Sequence, residues 1–533
     1  MLENESKRVA GWLGLGLVLV ALLPYLLAYR AAGDEFVFSG FLLNPIDGNT
    51  YLAKMYQGWQ GHWKYSLPYT AVVEEGAYLF LFYLFLGHIS RLFSIPLLVT
   101  FHASRIIGTV LMVWALDRFV RVLEVGRRDR IFGLALVLFG SGLGWVGLMF
   151  GAFTSDLWVA EAYPFLSAYA NPHFPIGLAL VVWLLTPQTG DKGIGDGGER
   201  DEGIGDKGWL LAIMSFILAL ISPFGVVIVL VILGTAAAWE LWDKLGAGKD
   251  WKQLQIPDAG KKFIYILVGG MPVLVYYFWV VKTNPAFAEW NRQNLTPSPP
   301  IWDFLLSFSP ILWFAIPGAV SVYRSGDKSQ RILLIWAGLG VVLSYLPLGL
   351  QRRFLMGLYL PLAILAVIGA GKLLARSRKK YILGLTILFL LVIPTNLIIL
   401  ATSIYGIQTR DPLLYLTKNE AQAFDWISEN SGPEAIILSA PQTGSFVPAH
   451  TGRRVLYGHP FETADANRME ALVESYFRGD IREADQKSLQ IADYIFVGPR
   501  ERRLGNCPCT NGMQIAYENE SVSVFRRGTT FLR

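Results

Sequence analysis

The sequence has few charged residues and almost no cysteine. Only 16% of its 533 residues are charged, against about 25% in an average soluble protein. With 53% hydrophobic residues and a mean hydropathy of +0.41, this deficit excludes a disordered chain and argues against one or two soluble domains. The two cysteines, Cys507 and Cys509, are too few for a disulfide scaffold or a cysteine-based zinc cluster. The formal net charge of +5 is too small to indicate a nucleic-acid partner.

Long apolar runs are abundant instead. A helix needs about 20 apolar residues to cross a bilayer, and runs near that length lie at 9–29, 77–95, 99–119, 132–151, 174–186, 209–222, 224–242, 263–282, 302–323, 332–350, 354–375 and 381–402. The first run follows Lys7 and Arg8 without an obvious cleavage site, which indicates a retained span and a cytoplasmic N-terminus. The break at Ser222-Pro223 predicts a tight hairpin between two spans.

Four basic segments set the predicted orientation. They lie at 118–130, 244–262, 324–331 and 372–380, and all four can be cytoplasmic only if one run does not cross. The best candidate is 77–95, which follows a long polar loop and carries Gly87, His88 and Arg91. The sequence therefore predicts a polytopic α-helical membrane protein with about eleven transmembrane helices in residues 1–402. Its predicted outer loops are 30–98, 152–173, 283–301 and the turn at 351–353, whereas 187–208 is a cytoplasmic linker.

Residues 403–533 have a different composition. Helices are predicted at 418–430 and 465–478, and short apolar strands at 435–440, 454–458 and 494–499. Alternating helices and strands favour a soluble α/β domain with a mainly parallel sheet, placed outside the cell by the orientation above. Its Gly-containing loops lack a nucleotide-binding pattern and indicate acceptor recognition or coverage of the active site. Cys507 and Cys509 can form only a strained disulfide at their one-residue spacing.

The most informative segment is 47–63 in the first outer loop. Tyr51, Leu52, Met55 and Trp59 recur at helical spacing, which predicts a helix over 49–60 lying on the membrane with its apolar face down. Asp47 then lies at the N-terminal end of this helix. A carboxylate there is either a helix cap or a functional group at the boundary between water and lipid.

This segment resembles the first-loop motif of the glycosyltransferase-C superfamily, particularly its protein mannosyltransferase and aminoarabinose transferase branch. Asp47, Tyr51, Ala53, Met55 and the Gly-His-Trp at 61–63 occupy the places of that pattern. Two places depart from it: Gly48 replaces the usual Glu, and Glu74-Glu75-Gly76-Ala77 replaces a Lys-Pro-Pro-Leu stretch whose lysine would contact donor phosphate.

The resemblance implies an inverting integral membrane glycosyltransferase. Its donor would be a sugar linked to polyprenyl phosphate, its acceptor a glycan, lipid or protein, and its site would face the outer side of the cell membrane. Asp47 would be the general base that inversion requires, and Tyr51 would contact substrate.

The leaving phosphate would need cationic partners. Arg352 and Arg353 are the leading candidates, with an ordinary pair of snorkelling arginines as the alternative. Lys54 is either a further phosphate contact or a snorkelling lysine. His173, in the second outer loop, either binds phosphate or acceptor or is structural.

Other carboxylates could join the site. Glu161 in the second outer loop is predicted as a second catalytic carboxylate, whereas Asp156 is expected to be solvated. Glu75 is a candidate substrate-binding residue, and Glu74 and Glu75 could join Asp47 around a metal. The sequence identifies no cofactor, and a divalent metal, Mg²⁺ or Mn²⁺, stays an open alternative with Asp47, Asp156 and Glu161 as candidate ligands.

Two other functions are alternatives to transfer from a lipid-phosphate donor. An oligosaccharyltransferase is disfavoured because the C-terminal segment contains no Trp-Trp-Asp. A transporter or flippase of lipid-linked glycans would show internal repeats and broken helices in matching halves, and the sequence shows neither.

Overall fold

The computed structural model describes residues 2–72, 74–123, 126–187, 208–248, 250, 254–374, 377–505 and 513–527. The linker predicted within 187–208 lies outside these residues except at its two ends, and Cys507 and Cys509 also lie outside them. The α-helices are α1 Leu2–Ala32, α2 Pro45–Gln60, α3 Leu81–Phe93, α4 Leu97–Val122, α5 Arg127–Phe139, α6 Gly144–Met149, α7 Pro164–Tyr169, α8 His173–Leu185, α9 Gly208–Ile221, α10 Pro223–Gly246, α11 Asp258–Thr283, α12 Pro285–Gln293, α13 Ile301–Phe308, α14 Ile311–Ser325, α15 Arg331–Ser344, α16 Tyr359–Leu374, α17 Arg378–Val392, α18 Pro394–Gln408, α19 Lys418–Asn430, α20 Pro441–Gly444, α21 Val447–Thr451, α22 Ala466–Arg478, α23 Glu483–Leu489 and α24 Pro499–Leu504. The strands are β1 Phe36–Phe38, β2 Tyr415–Thr417, β3 Ile436–Leu438, β4 Arg454–Val455, β5 Tyr494–Val497, β6 Gln514–Glu518 and β7 Ser523–Arg526, and short 3₁₀ helices cover Ser155–Leu157 and Gln351–Leu355.

Apolar helices long enough to cross a bilayer confirm the helical membrane architecture. Among the described residues there are six, at Arg8–Ala32, Leu97–Val122, Pro223–Gly246, Asp258–Thr283, Gln351–Leu374 and Arg378–Gln408. The bent pair α13 and α14 makes a seventh if it is one span, and α3, α8, α9 and α15 are shorter apolar helices. The number of eleven spans stays a prediction.

Several predicted runs are divided in the structure. The break predicted at Ser222-Pro223 is present, since α9 ends before Ser222 and α10 begins with Pro223, a residue that the first helical position tolerates. The single run predicted at 132–151 is two helices, α5 and α6. The run at 302–323 is also two helices, which meet at an angle of 79° around Ser309-Pro310, where the proline removes a backbone donor.

The chain forms two compact units. The first unit comprises 1–23, 103–276 and 296–402, and the second comprises 24–102, 277–295 and 403–533. The boundary predicted after residue 402 coincides with one junction between them. The second unit, however, also includes most of the first predicted outer loop, because the two segments share one hydrophobic core.

The core of the second unit packs α2 against the C-terminal segment. Leu52 and Met55 are buried in a cluster with Phe424 of α19, Ile437 of β3 and Phe496 of β5. The prediction that the apolar face of this helix lies on lipid is therefore wrong for these two side chains. Protein, rather than membrane, covers them.

Two sheets belong to the second unit. Strands β1 and β2 pair antiparallel, with Phe36 opposite Thr417. The other sheet has the order β4-β3-β5-β7-β6; β3 pairs parallel with β4 and β5, and β7 pairs antiparallel with β5 and β6. The three strands predicted from apolar runs are present and parallel, and the sheet is completed by β6 and β7, which the sequence did not reveal.

Close backbone contacts hold α3 against α2. A Cβ atom on Gly58 would lie 2.1 Å from the carbonyl oxygen of Leu84, and one on Gly87 would lie 2.0 Å from that of Met55. Both positions therefore require glycine. With 13 residues, α3 is shorter than the roughly 20 that a crossing needs. Because α8, α9 and α15 are similarly short, length alone does not separate α3 from them, and the absence of a crossing at 77–95 stays a prediction.

Candidate active site

Asp47 lies in the first turn of α2. The helix begins with Pro45, and the residue before it, Asn44, has a left-handed backbone and no side-chain cap. Asp47 is therefore not the N-cap residue that the simplest alternative proposes. Its side chain is 45% exposed, and its Oδ1 lies 3.1 Å from Nε2 of His459.

The backbone around His459 fixes which ring nitrogen carries the proton. Nδ1 accepts hydrogen bonds from the backbone N–H groups of Phe461 and Glu462, at 3.1 and 3.2 Å. A proton on Nδ1 would face two donors, so we assign the proton to Nε2. His459 therefore donates its Nε2–H to Asp47.

A second contact joins α2 to the segment that contains His459. Lys54 Nζ lies 2.6 Å from Oε1 of Glu462, and these side chains are 1% and 8% exposed. Tyr65 donates its hydroxyl to the other oxygen of Glu462 at 2.8 Å. Lys54 also lies over the rings of Phe80, Tyr65 and Tyr51, at 4.5, 5.0 and 5.4 Å. Lys54 therefore does not snorkel, because it is buried and a buried carboxylate is its partner.

Two buried tyrosines flank these pairs. Burial and the nearby charge of Glu462 raise the pKa of Tyr65 well above its usual value. Burial, followed by the charges of Glu462 and Asp47, does the same for the pKa of Tyr69. Both phenols therefore stay protonated, and Tyr69 donates to the backbone oxygen of Ser445 at 3.1 Å.

Residues 458–464 form what we call the His459 loop. Its own Thr463 accepts the N–H groups of Gly458 and His459 through Oγ1. From α12, Gln293 donates to the backbone oxygen of Thr463 and accepts the N–H of Ala466. The loop is thus fixed both internally and from a neighbouring helix.

Packing accounts for the glycine that departs from the family pattern. A Cβ atom on Gly48 would lie 2.2 Å from the ring of Phe41. The position that usually carries Glu therefore has no room for a side chain in this protein. Asp47 has no acidic neighbour on its C-terminal side.

A cavity of about 200 Å³ borders the His459 loop. Its lining residues come from 67–74, from α12 and from the loop itself: Leu67, Thr70, Val72, Glu74, Pro285, Ala286, Glu289, Trp290, Gln293, Glu462 and Ala464. Glu75 is exposed, and its backbone oxygen accepts a hydrogen bond from Asn284 at 3.1 Å. The wall of the cavity is mostly apolar, with the indole of Trp290 and the carboxylates of Glu74, Glu289 and Glu462.

The first unit brings other predicted residues together. Arg353 lies 3.6 Å from the carboxylate of Glu161, with 30% and 9% of their side chains exposed. The guanidinium of Arg352 lies 4.4 Å from the ring centroid of Trp158. His173 begins α8, and its ring lies against that of Phe174.

Asp156 is buried, so the expectation that it is solvated is wrong. Its Oδ2 accepts the N–H groups of Gly142 and Gly144, and its Oδ1 accepts the hydroxyl of Thr154. Ser307 adds a further contact to Oδ1 at 3.2 Å. Burial raises the pKa of Asp156, and these hydrogen bonds oppose that effect. We interpret it as a residue that organises its loop.

Asp156 does not fit a metal site, because the chain's own donors already occupy both of its oxygens. Within the described ranges, no three His, Cys, Asp or Glu side chains are grouped as metal ligands. The sequence indicated neither His459 nor Glu462 as a partner of α2. Nothing local in the segment 457–462 connects it to residues about four hundred positions earlier.

Comparisons with solved structures identify the fold. The structure is similar to the oligosaccharyltransferase AglB of Archaeoglobus fulgidus in complex with an inhibitory peptide and a dolichol-phosphate, with a TM-score of 0.53 and 12% identity over 92% of this chain and 69% of that one. The same enzyme tethered to an acceptor peptide with an NVT sequon gives a TM-score of 0.51 and 12% identity over 96% and 74%. ArnT of Cupriavidus metallidurans matches over 97% of both chains, with 13% identity and a TM-score of 0.48.

No family model and no curated protein sequence matches this chain. The structural likeness shows that this chain shares its fold with AglB, which agrees with the fold implied by the resemblance in residues 47–63.

Proposed function

We propose that the protein is an integral membrane glycosyltransferase that uses a sugar linked to polyprenyl phosphate, with Asp47 as general base. The observation that carries this proposal is the half-exposed carboxylate of Asp47 at the start of α2, which the buried His459 contacts. Its fold is shared with an enzyme solved in complex with a dolichol-phosphate, which supports a lipid-phosphate donor.

The reaction we propose is a single inverting displacement. Asp47 accepts the proton of an acceptor hydroxyl while that oxygen forms a bond to the anomeric carbon. The bond between the anomeric carbon and the phosphate oxygen breaks, and its electron pair leaves with polyprenyl phosphate. The products are the glycosylated acceptor and polyprenyl phosphate, and Asp47 returns its proton to water. No step in this scheme uses a metal.

The departing phosphate needs positive charge, and we retain Arg352 and Arg353 for that role. They lie in the 3₁₀ helix that opens the candidate span Gln351–Leu374. Arginine suits phosphate because its planar fork can donate two parallel hydrogen bonds. Glu161 then orients Arg353 instead of acting as a second base.

Donor cleavage tests the proposal directly. The purified protein is reconstituted in liposomes with a panel of radiolabelled polyprenyl-phosphate sugars and candidate acceptors. Transfer of label to an acceptor, with release of polyprenyl phosphate, is the expected result. A second arm supplies a lipid-linked oligosaccharide and an Asn-Val-Thr peptide, and transfer only there would show an oligosaccharyltransferase. A third follows a fluorescent lipid-linked glycan, and movement across the bilayer without bond cleavage would show a flippase.

We also propose that residues 403–533 lie outside the cell and that 372–380 is cytoplasmic. Both native cysteines are first replaced by serine, and single cysteines are then introduced as Asp480→Cys and Arg378→Cys. A membrane-impermeant maleimide applied to intact cells should label the first variant and not the second. Labelling of the second variant would overturn the orientation.

A further inference from the structure

We infer that His459 is a positioning residue, which holds the Asp47 carboxylate in the orientation needed to accept a proton. The inference rests on the proposed function and adds a residue that the first-loop motif does not contain. His459 acts through Asp47 and is not proposed to touch substrate.

The first argument is that the His459 ring has a fixed orientation. Its two nitrogens have different partners: Nδ1 accepts two backbone N–H groups of its own loop, and Nε2 contacts Asp47. Rotating the ring by half a turn would give up both sets of contacts. The side chain is only 4% exposed, so water cannot replace them readily.

The second argument is that the His459 loop is fastened to α2 at two points. Asp47 and Lys54 are seven positions apart, which places them on the same face of the helix. On the loop, His459 and Glu462 are three positions apart and contact Asp47 and Lys54, respectively. The buried Lys54–Glu462 pair therefore fixes the position from which His459 reaches the carboxylate.

The third argument concerns the orientation of the Asp47 carboxylate. It lies in the first turn of α2, where the helix dipole favours a carboxylate. An aspartate side chain can adopt several staggered orientations, and only some of them point Oδ1 toward His459. A displacement of about 1 Å in a reacting group can cost roughly a hundredfold in rate. The hydrogen bond from His459 favours the orientation seen in the structure.

Two substitutions separate the positioning role from the structural one. His459→Asn places an amide oxygen near the position of Nδ1, so the loop keeps its acceptor, but the side chain is too short to reach Asp47. His459→Gln places an amide N–H near the position of Nε2 and loses the acceptor. The inference predicts that His459→Asn lowers kcat by about tenfold or more, with little change in KM, and that His459→Gln retains more activity.

A double-mutant cycle supplies the readout that a merely structural role would not move. In the Asp47→Asn background, His459→Asn should cause no further loss, since the group it positions is already inactive. His88→Asn is the matched control, because His88 lies in the same unit and contacts His62 and Trp63 instead. Its activity should equal that of the parent.

A measurement without turnover completes the test. Nitrogen-15 NMR of histidine-labelled protein, with His459→Asn used to assign the signal, should show the proton of His459 on Nε2. Full activity in His459→Asn, or additive losses in the cycle, would overturn the inference while leaving Asp47 as the base. If the parent protein transfers no sugar from any donor, the proposed function itself fails, and the NMR result still decides the contact.

Discussion

His459 and Asp47 are 412 positions apart in the sequence and 3.1 Å apart in the structure. One belongs to the C-terminal segment, the other to the helix that carries the first-loop motif, and both lie in the same compact unit. The motif therefore supplies the carboxylate but not the group that orients it. A fragment ending near residue 402 would keep Asp47 and lose its partner.

Replacement of Asp47 is the most direct test of the base. Asp47→Asn keeps the size of the side chain and can still accept the Nε2–H of His459, so we expect the fold to be retained. Transfer should fall by about 10²-fold or more, mainly in kcat, because an amide cannot take up the proton. Single-turnover donor cleavage by the purified variant is the measurement.

Asp34→Asn is the matched control for this substitution. Asp34 is exposed, lies in the same unit and follows α1 rather than starting α2. Its activity should remain at the level of the parent. Near-normal turnover in Asp47→Asn would reduce Asp47 to a residue that stabilises the loop.

Regular elements with a strong apolar pattern could be predicted from the sequence. The helix expected over 418–430 is α19 at the same residues, and the helix expected over 49–60 is α2, which begins four residues earlier. Strands β3 and β5 are short apolar runs, and β4 lies at the start of the predicted segment 454–458. By contrast, β6 has only Ile515, Ala516 and Tyr517 between the polar ends Gln514 and Glu518, and so short a run is a weak signal for strand prediction.

The site was predictable only where its chemistry is local. Asp47 stood out because the residues after it form a pattern, whereas the partners of Asp156 come from separate segments at Gly142, Gly144 and Ser307. The Ser-Asp-Leu stretch at 155–157 therefore looks solvated when it is read alone. The partner of Lys54 is also distant, at 408 positions along the sequence. Contacts over such distances leave no trace in a single sequence.

Breaking the buried Lys54–Glu462 pair from one side should destabilise the second unit. Lys54→Met leaves the Glu462 carboxylate buried with Tyr65 alone, and breaking a buried pair from one side costs about 3–5 kcal/mol. We therefore expect a clear drop in the melting temperature of the detergent-solubilised protein. Lys54→Met combined with Glu462→Met should restore part of it, since no buried charge then lacks a partner.

The exposed pair Arg478–Glu474 is the control, with side chains 51% and 31% exposed. Arg478→Met should leave the melting temperature essentially unchanged, because exposed pairs contribute little. If Lys54→Met proves as harmless as this control, the pair does not fasten α2 to the loop.

The cavity beside the His459 loop should bind a part of one substrate. Its mostly apolar wall carries a few polar groups, as the walls of small-molecule sites do, and its volume of about 200 Å³ suits a part of a ligand rather than a whole one. Trp290 offers an aromatic face. Trp290→Ala should raise the KM for the donor or the acceptor by about tenfold, which corresponds to about 1.4 kcal/mol, with kcat nearly unchanged. Trp290→Phe should lie between this variant and the parent.

A fold check accompanies this measurement, because Trp290 also packs edge-on against Phe80. The melting temperatures of both Trp290 variants are compared with that of Trp59→Ala, which removes an indole elsewhere in the unit. Unchanged KM values for both substrates in a folded Trp290→Ala protein would exclude the cavity as a substrate site.

The last prediction concerns the arginines of the first unit. If Arg352 and Arg353 bind donor phosphate, lysine should not replace them, because an ammonium cannot make the bidentate contact. Arg353→Lys should lower kcat if the contact tightens as phosphate leaves, and raise donor KM if it acts only on the bound donor. Arg352→Lys should also lose the stacking of a planar guanidinium on Trp158. If the two arginines only snorkel, both lysine variants should behave like the parent, since lysine reaches the membrane surface as well as arginine does.

Donor titrations on both variants, with Arg378→Lys at the start of α17 as control, decide the question. If neither variant differs from the parent by more than about twofold, the phosphate is held elsewhere. His173 is then the next residue to test, since Lys54 is committed to Glu462.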